Sequence, residues 1–192
     1  MIAHPEVTRP VGTKTIQDWL DHEDTGGYVE LIEGELIVAG GASSKHQRLV
    51  SRYEGVLNQL KADGEVFIAP LGVKFDEKNT PEPDLFWIAA DNPARDLNTY
   101  IEGVPNLIVE IISPSSRRRD QIEKFRLYGQ YGVPEYWLVY PDSEVTEVYI
   151  HKDGKYALHG KFTGEETFES PTLGKTVDLT LIYATLPRTP FD

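Results

Sequence analysis

The chain has 192 residues, enough to bury a sizeable core, and its 40% hydrophobic and 26% charged content places it with ordinary globular proteins rather than disordered or fibrous ones. A formal charge of −12, from 31 acidic and 19 basic side chains, repels nucleic acid on average, so any nucleic-acid surface must be local. There is no cysteine, which excludes disulfides, thiolate chemistry and cysteine-based zinc sites and fits a reducing cytoplasm.

No segment approaches the roughly 18 apolar residues of a membrane span, and Met1 to Thr15 lacks a hydrophobic signal core. One domain over 1–192 is expected, with an irregular arm at 1–13 and a tail at 187–192. Ile16, Trp19 and Leu20 predict a short helix over Thr15 to His22. Two β-prone runs, 28–32 and 35–38, flank Glu33-Gly34 and predict a tight hairpin. Ser44-Lys-His-Gln47 has the form of a capping box, and the stripe Leu49, Tyr53, Val56, Leu57, Leu60 predicts a helix over 44–62. Strands are expected at 65–69, 72–75 and 85–88.

Residues 91–104 read as a polar connection with a helical turn or two. Residues 106–112 are a β-branched apolar run, the pattern of a strand buried on both faces, as at the centre of a parallel sheet. A helix over 116–131, capped by Ser115 or Ser116 and ended by Gly132 and Pro134, leads to a strand at 135–140. These three elements predict a β-α-β unit with parallel strands. Residues 146–151 and 155–159 form a second hairpin around Asp153-Gly154, followed by a strand near 165–170 and an apolar segment, Leu179 to Leu186.

Glu110 is the most informative side chain. It shares a strand face with Ile108 and Ile112. A carboxylate there loses its water, at a cost of several kcal/mol unless a cation or hydrogen-bond donors replace it. Asp84, opening a strand after Pro83, is its candidate companion, and two carboxylates at strand ends suit Mg²⁺ or Mn²⁺. The ordinary alternative for Asp84 is a turn cap. Asp120, Lys124, Leu127 and Tyr131 share one helix face; taken alone, this spacing favours an exposed Asp120–Lys124 pair worth a few tenths of a kcal/mol.

Arg117, Arg118 and Arg119 oppose the dipole of their helix, which phosphate binding would explain, although a solvated charge cluster is commoner. His46 lies on the apolar side of its helix, where a hydrogen-bonded core histidine is the commoner role. Glu30 lies within a strand beside Tyr28 and Ile32, whereas Glu33 at the turn is expected to be solvated. No Gly-rich phosphate loop, Gly-x-Ser-x-Gly elbow or His-Glu-x-x-His motif occurs.

The series Pro83-Asp84 … Glu110-Ile-Ile112 resembles the Pro-Asp … (Asp/Glu)-x-Lys signature of the restriction-endonuclease-like superfamily, and more closely a family of small endonuclease-like proteins within it. The resemblance runs from the 28–36 hairpin through Ser44 to His46, Pro83-Asp84, 109–115, Asp120 and Lys124 to Gly132-Val-Pro-Glu-Tyr-Trp137. It departs from the parent signature at Ile112, where a lysine would stand; in the resembling family the helix that follows supplies it, here as Lys124. The resemblance implies an α/β (α+β) fold with a mixed central sheet flanked by helices. It also implies metal-dependent hydrolysis of phosphodiester bonds in nucleic acid, DNA being the expected class. Asp84, Glu110 and the carbonyl of Ile111 would hold Mg²⁺, with Mn²⁺ substituting. Lys124 would orient water or stabilise transition-state charge, Glu30 and His46 would be auxiliary, and Arg117, Arg118 and Arg119 would hold flanking phosphates.

The net charge and Ile112 favour a second reading, a degenerate nuclease-fold domain that binds nucleic acid or protein without cleaving it. A third is an interaction protein built on a homodimer, with the aromatic-rich segment Tyr128 to Tyr140 as core or interface.

Overall fold

The computed structural model describes residues 12–23, 29–38, 40–60, 63–113 and 116–184. Its centre is a six-stranded sheet. Strand β8 (Leu107–Ile111) lies between β9 (Glu135–Tyr140) and β5 (Leu85–Ala89). Beyond β9 come β10 (Val145–Lys152) and β11 (Lys155–Thr163), and beyond β5 comes β3 (Gly64–Ile68). β8 and β9 are parallel, with Val109 opposite Trp137; every other pairing is antiparallel. The sheet is therefore mixed, and the central strand has one neighbour of each kind.

Alternation along β8 divides the core. Leu107, Val109 and Ile111 join Leu49, Tyr53 and Leu57 of helix α2 (Ser44–Gln59). Ile108 and Ile112 join Leu127 and Tyr128 of helix α3 (Phe125–Gln130) on the other face. Period-two geometry therefore aims Glu110 at the α3 layer. Helix α4 (Thr180–Tyr183) and the pair β12 (Thr167–Ser170) and β13 (Lys175–Asp178) complete the α2 side.

Helix α1 (Ile16–Glu23) packs Trp19 against the hairpin of β1 (Val29–Ile32) and β2 (Glu35–Val38). Glu33 and Gly34 both adopt positive φ, 50° and 74°, as a tight hairpin turn requires. Leu31 exchanges both main-chain hydrogen bonds with Thr80, which ties this hairpin to the segment leading into Asp84.

Several elements differ from the sequence expectation. Residues 91–104 contain two short strands, β6 (Arg95–Asp96) and β7 (Tyr100–Glu102), rather than helical turns. β7 pairs in parallel with β4 (Gly72–Lys74), in a small sheet apart from the central one. Pairing of β6 with β7 and of β7 with β4, together with the burial of Ile101, makes these polar residues extended. β13, missing from the expectation, is likewise defined by its partner β12. The α2 cap is Ser43, whose hydroxyl accepts from His46 N–H, rather than Ser44; adjacent serines are equivalent to a pattern search.

The helix expected over 116–131 begins with a π-helical segment, Arg119–Lys124, before α3. The N-cap position of that segment is Arg118, with no side-chain cap, although Ser113 Oγ accepts from the N–H of Ser116 just before it; Ser115 lies outside the described residues, as do 61–62, 187–192 and most of the expected 1–13 arm. Tyr128, Tyr136 and Trp137 are buried core side chains.

Glu135 is fully buried and accepts from Trp137 Nε1 at 2.6 Å, Ser170 Oγ at 3.0 Å and Thr172 N at 2.9 Å, anchoring the β12 turn to β9. Leucine at 135 leaves these donors unpaired, and urea unfolding should show a loss of about 3 kcal/mol. Glu135→Gln keeps an acceptor and should lose less than half of that. A loss below about 1 kcal/mol for Glu135→Leu would mean that the turn rearranges and the anchor is dispensable.

Candidate active site

Three separate elements deliver the charged groups of one cleft of about 560 Å³. β8 brings Glu110, the π-helical segment brings Asp120 and Lys124, and β1 brings Glu30; all four are buried. Lys124 Nζ lies 2.6 Å from Glu30 Oε1 and 2.8 Å from Glu110 Oε1, with Asp120 Oδ1 at 3.8 Å. Tyr128 also donates to Glu110 Oε1, at 2.7 Å. Glu30 is held further by Arg119 at 3.1 Å and by the main-chain N–H of Glu82 at 3.1 Å.

Asp84 enters from the residue before β5. Its Oδ2 accepts from the N–H of Ile111 at 2.7 Å and lies 3.0 Å from His46 Nε2. The antiparallel register, Leu85 opposite Val109, carries Asp84 to the same end of β8 as Glu110. Among the described residues these hydrogen bonds converge on one oxygen each of Asp84 and Glu110.

Five carboxylates, Glu30, Glu82, Asp84, Glu110 and Asp120, line the cleft, with two permanent cations, Lys124 and Arg119, among the described residues. Burial pushes Glu110 well above the usual carboxylate range; Lys124 opposes this, and Asp120, Asp84 and Glu30 reinforce it. Burial also raises Asp120, to about 6, against the pull of Lys124 and a hydrogen bond from Ser116. Burial disfavours the Lys124 ammonium, yet Glu110, Glu30 and Asp120 hold its pKa well above the ordinary value. Lys124 is therefore a charged donor and not a neutral base. For His46, burial is outweighed by the hydrogen bond and charge of Asp84, which raise it above the usual imidazole value. Its Nδ1 is buried without a hydrogen-bond partner among the described residues.

Asp84, Glu110, Ile111, Lys124, Glu30 and His46 all line this cleft. Two expectations need correction. The Asp120–Lys124 pair is buried, not exposed, because the helix that bears it lies over the acidic face of β8. His46 is a half-buried partner of Asp84 and not a core histidine, since α2 begins at the cleft mouth. The arginines also divide: Arg117 and Arg118 are exposed, whereas Arg119 turns inward to Glu30. Tyr128 was missed as a partner of Glu110, although its place one helical turn after Lys124 was a usable signal.

The donor set suits a hard divalent cation: two carboxylates and the nearby main chain of Ile111, amid surplus negative charge. Among the described residues no three His, Cys, Asp or Glu side chains are grouped to hold a metal by themselves. Mg²⁺ needs fewer, because it keeps several waters and takes one or two carboxylates together with substrate phosphate.

A family model described as "Uma2: Putative restriction endonuclease" matches residues 15–181. An uncharacterized protein of Synechocystis sp. PCC 6803, slr1290, is 25% identical over 160 residues, covering 80% of this chain and 82% of that protein. Another from the same organism, sll1609, is 30% identical over 102 residues, 52% of this chain and 58% of that protein. The crystal structure of a protein from Anabaena variabilis ATCC 29413, described as a putative nuclease belonging to DUF820, matches with a TM-score of 0.71 at 19% identity, covering 88% of this chain and 97% of that one. The two chains share a restriction-endonuclease-like fold.

Asp120 gives the cleft a pH signature. Its folded pKa of about 6 exceeds the ordinary value of 3.8, so between these values the folded protein holds a proton that the unfolded chain releases. The stability this confers is present at low pH and is lost as pH rises through about 6. Asp120→Asn should therefore stabilise the protein at pH 7.5, by about 1–3 kcal/mol, and change it little at pH 4. Urea unfolding at both pH values, in chelator, measures the difference. Equal effects at both would remove Asp120 as its source.

Proposed function

Because the chain belongs to the Uma2 family of restriction-endonuclease-like proteins, we propose that it is a metal-dependent endonuclease that hydrolyses phosphodiester bonds in DNA. The observation that carries this reading is the ammonium of Lys124, delivered from the helix after β8 to 2.8 Å from Glu110 in the cleft that also contains Asp84. Two acids and a lysine line the same cleft, which supports the reading, with the lysine supplied by a helix.

Asp84, Glu110 and the carbonyl of Ile111 would hold Mg²⁺, for which Mn²⁺ can substitute. Bound there, the ion would polarise the scissile phosphate and lower the pKa of a coordinated water. The chain's own residues do the rest. Lys124, permanently charged, stabilises negative charge that grows on the phosphoryl oxygens. Glu30 and Arg119 hold Lys124 in place, Glu30 by direct contact and Arg119 through Glu30. Tyr128 fixes the orientation of the Glu110 carboxylate. His46 orients Asp84 through the contact of its Nε2 with Asp84 Oδ2. Arg117 and Arg118 remain to meet flanking phosphates.

Calorimetric titration with Mn²⁺ tests the core of this reading. Wild type should take up the ion saturably, and Glu110→Gln should not. Lys124→Met should retain uptake, since it removes a competing cation, while lowering DNA cleavage by roughly 10²–10³-fold. A well-folded wild type that takes up no Mn²⁺, even with a short oligonucleotide present, would favour the non-catalytic binding domain instead.

A further inference from the structure

The lining of the cleft is chemically mixed. Besides its charged groups, the end of β2, the loop into α2 and the end of β3 supply an uncharged stretch of wall: Val38, Gly40, Gly41, Ala42, Ile68 and Ala69. Val38 is 75% exposed and Ile68 40%, and both belong to the short set of large apolar side chains left exposed among the described residues. Scattered exposed aliphatics need no explanation, but two on one wall of the acidic cleft form a surface that a ligand can cover.

The glycines of this wall add a separate observation. A Cβ at Gly40 or Gly41 would meet no atom within 4 Å, and neither residue has positive φ. Local packing and backbone conformation among the described residues therefore do not call for glycine at either position. Their bareness keeps the wall shallow and open to something outside the chain.

Basic side chains on the elements beside the cleft are already engaged. Lys45, beside His46, pairs with the exposed Asp142 at 2.9 Å, and Arg117 acts on the same carboxylate. The protein as a whole carries a net charge of −12. Duplex binding rests largely on neutralising many backbone phosphates, which that charge opposes. A paired duplex also turns its bases inward and offers sugar and phosphate to a wall of Val38 and Ile68, which gains nothing from them. An unstacked base offers an apolar face that such a wall can pack against.

Resting on the nuclease reading above, we propose that the cleft takes an unpaired nucleic-acid strand, with a base and sugar against the Val38–Ile68 wall while the neighbouring phosphate meets the charged floor. The substrate is then single-stranded, or a strand frayed from its complement, rather than continuous duplex. Lys45 and Arg117 hold the next phosphate, displacing Asp142 as their partner.

Fluorescence anisotropy of the full chain with a labelled 12-nucleotide DNA strand, the same strand annealed to its complement, and the equivalent RNA strand tests this in Ca²⁺ buffer. The single strand should bind at least tenfold more tightly than the duplex. Val38→Ser and Ile68→Ser should each weaken single-strand binding about fivefold and leave the weak duplex binding unchanged. Gly40→Val and Gly41→Val should weaken it similarly with Tm unaltered, and Asp142→Ala should strengthen it. Tighter binding of RNA than of DNA would support the unpaired-strand proposal and move the substrate to RNA. Equal or tighter duplex binding, with the wall variants neutral, would overturn the proposal and leave the nuclease reading intact. Failure of all three oligonucleotides to bind would overturn both.

Discussion

The ammonium of Lys124, buried between Glu30 and Glu110, is the contact on which the remaining arrangement depends. Removing three charged groups from water costs several kcal/mol per ion, and Coulomb attraction returns that only where geometry is good and further hydrogen bonds complete the shell. Here Tyr128 and Arg119 complete it. Even so, an aliphatic cluster of the same volume would stabilise a fold as well or better. Stability alone therefore does not account for this arrangement, and its cost makes sense where a positive charge must be held against an acidic floor. The contact also joins three segments distant in sequence, β1, β8 and the π-helical turn, so the site and the seam between layers are the same object.

The mixed sheet explains how the second carboxylate arrives. Had β5 run parallel to β8, the residue before it would stand at the opposite end from Ile111. Because β5 is antiparallel, Asp84 reaches the end of β8 and accepts the N–H of Ile111 directly. The parallel β8–β9 pair does the complementary work, since it requires a crossover, and that crossover carries Lys124 back over the face from which Glu110 projects. One antiparallel and one parallel neighbour are both needed to assemble the set.

Much of this was legible in the residues, and what was missed has a physical pattern. The buried strand 106–112, the helix on 44–62 and the two glycine turns announce themselves through apolar periodicity and turn chemistry, which are local. Glu110 could be singled out because its neighbours at 108 and 112 share its face. The strands at Arg95–Asp96 and Lys175–Asp178 could not be seen, because polar segments without apolar alternation become extended only through the strand they pair with, here β7 and β12. The same limit hid the burial of Asp120 and Lys124. An i,i+4 pair reads identically in water and in a core, and only the strand beneath decides which it is. Ser43 and Ser44 illustrate a finer limit, a cap displaced by one residue between equivalent side chains.

Ile112 shows why the lysine is better placed on the helix. Position 112 shares the face of Glu110, but its side chain is buried in the aliphatic and aromatic layer with Leu127 and Tyr128. A lysine there would have to push its ammonium through that layer to reach the cleft, or leave it buried without a carboxylate, at a cost of several kcal/mol. From the helix, Lys124 places its buried ammonium within 2.8 Å of Glu110 and 2.6 Å of Glu30. A cation supplied from the helix leaves position 112 of the strand free for packing. It also adds Glu30, a residue of the N-terminal hairpin, to the groups that hold the ammonium in place.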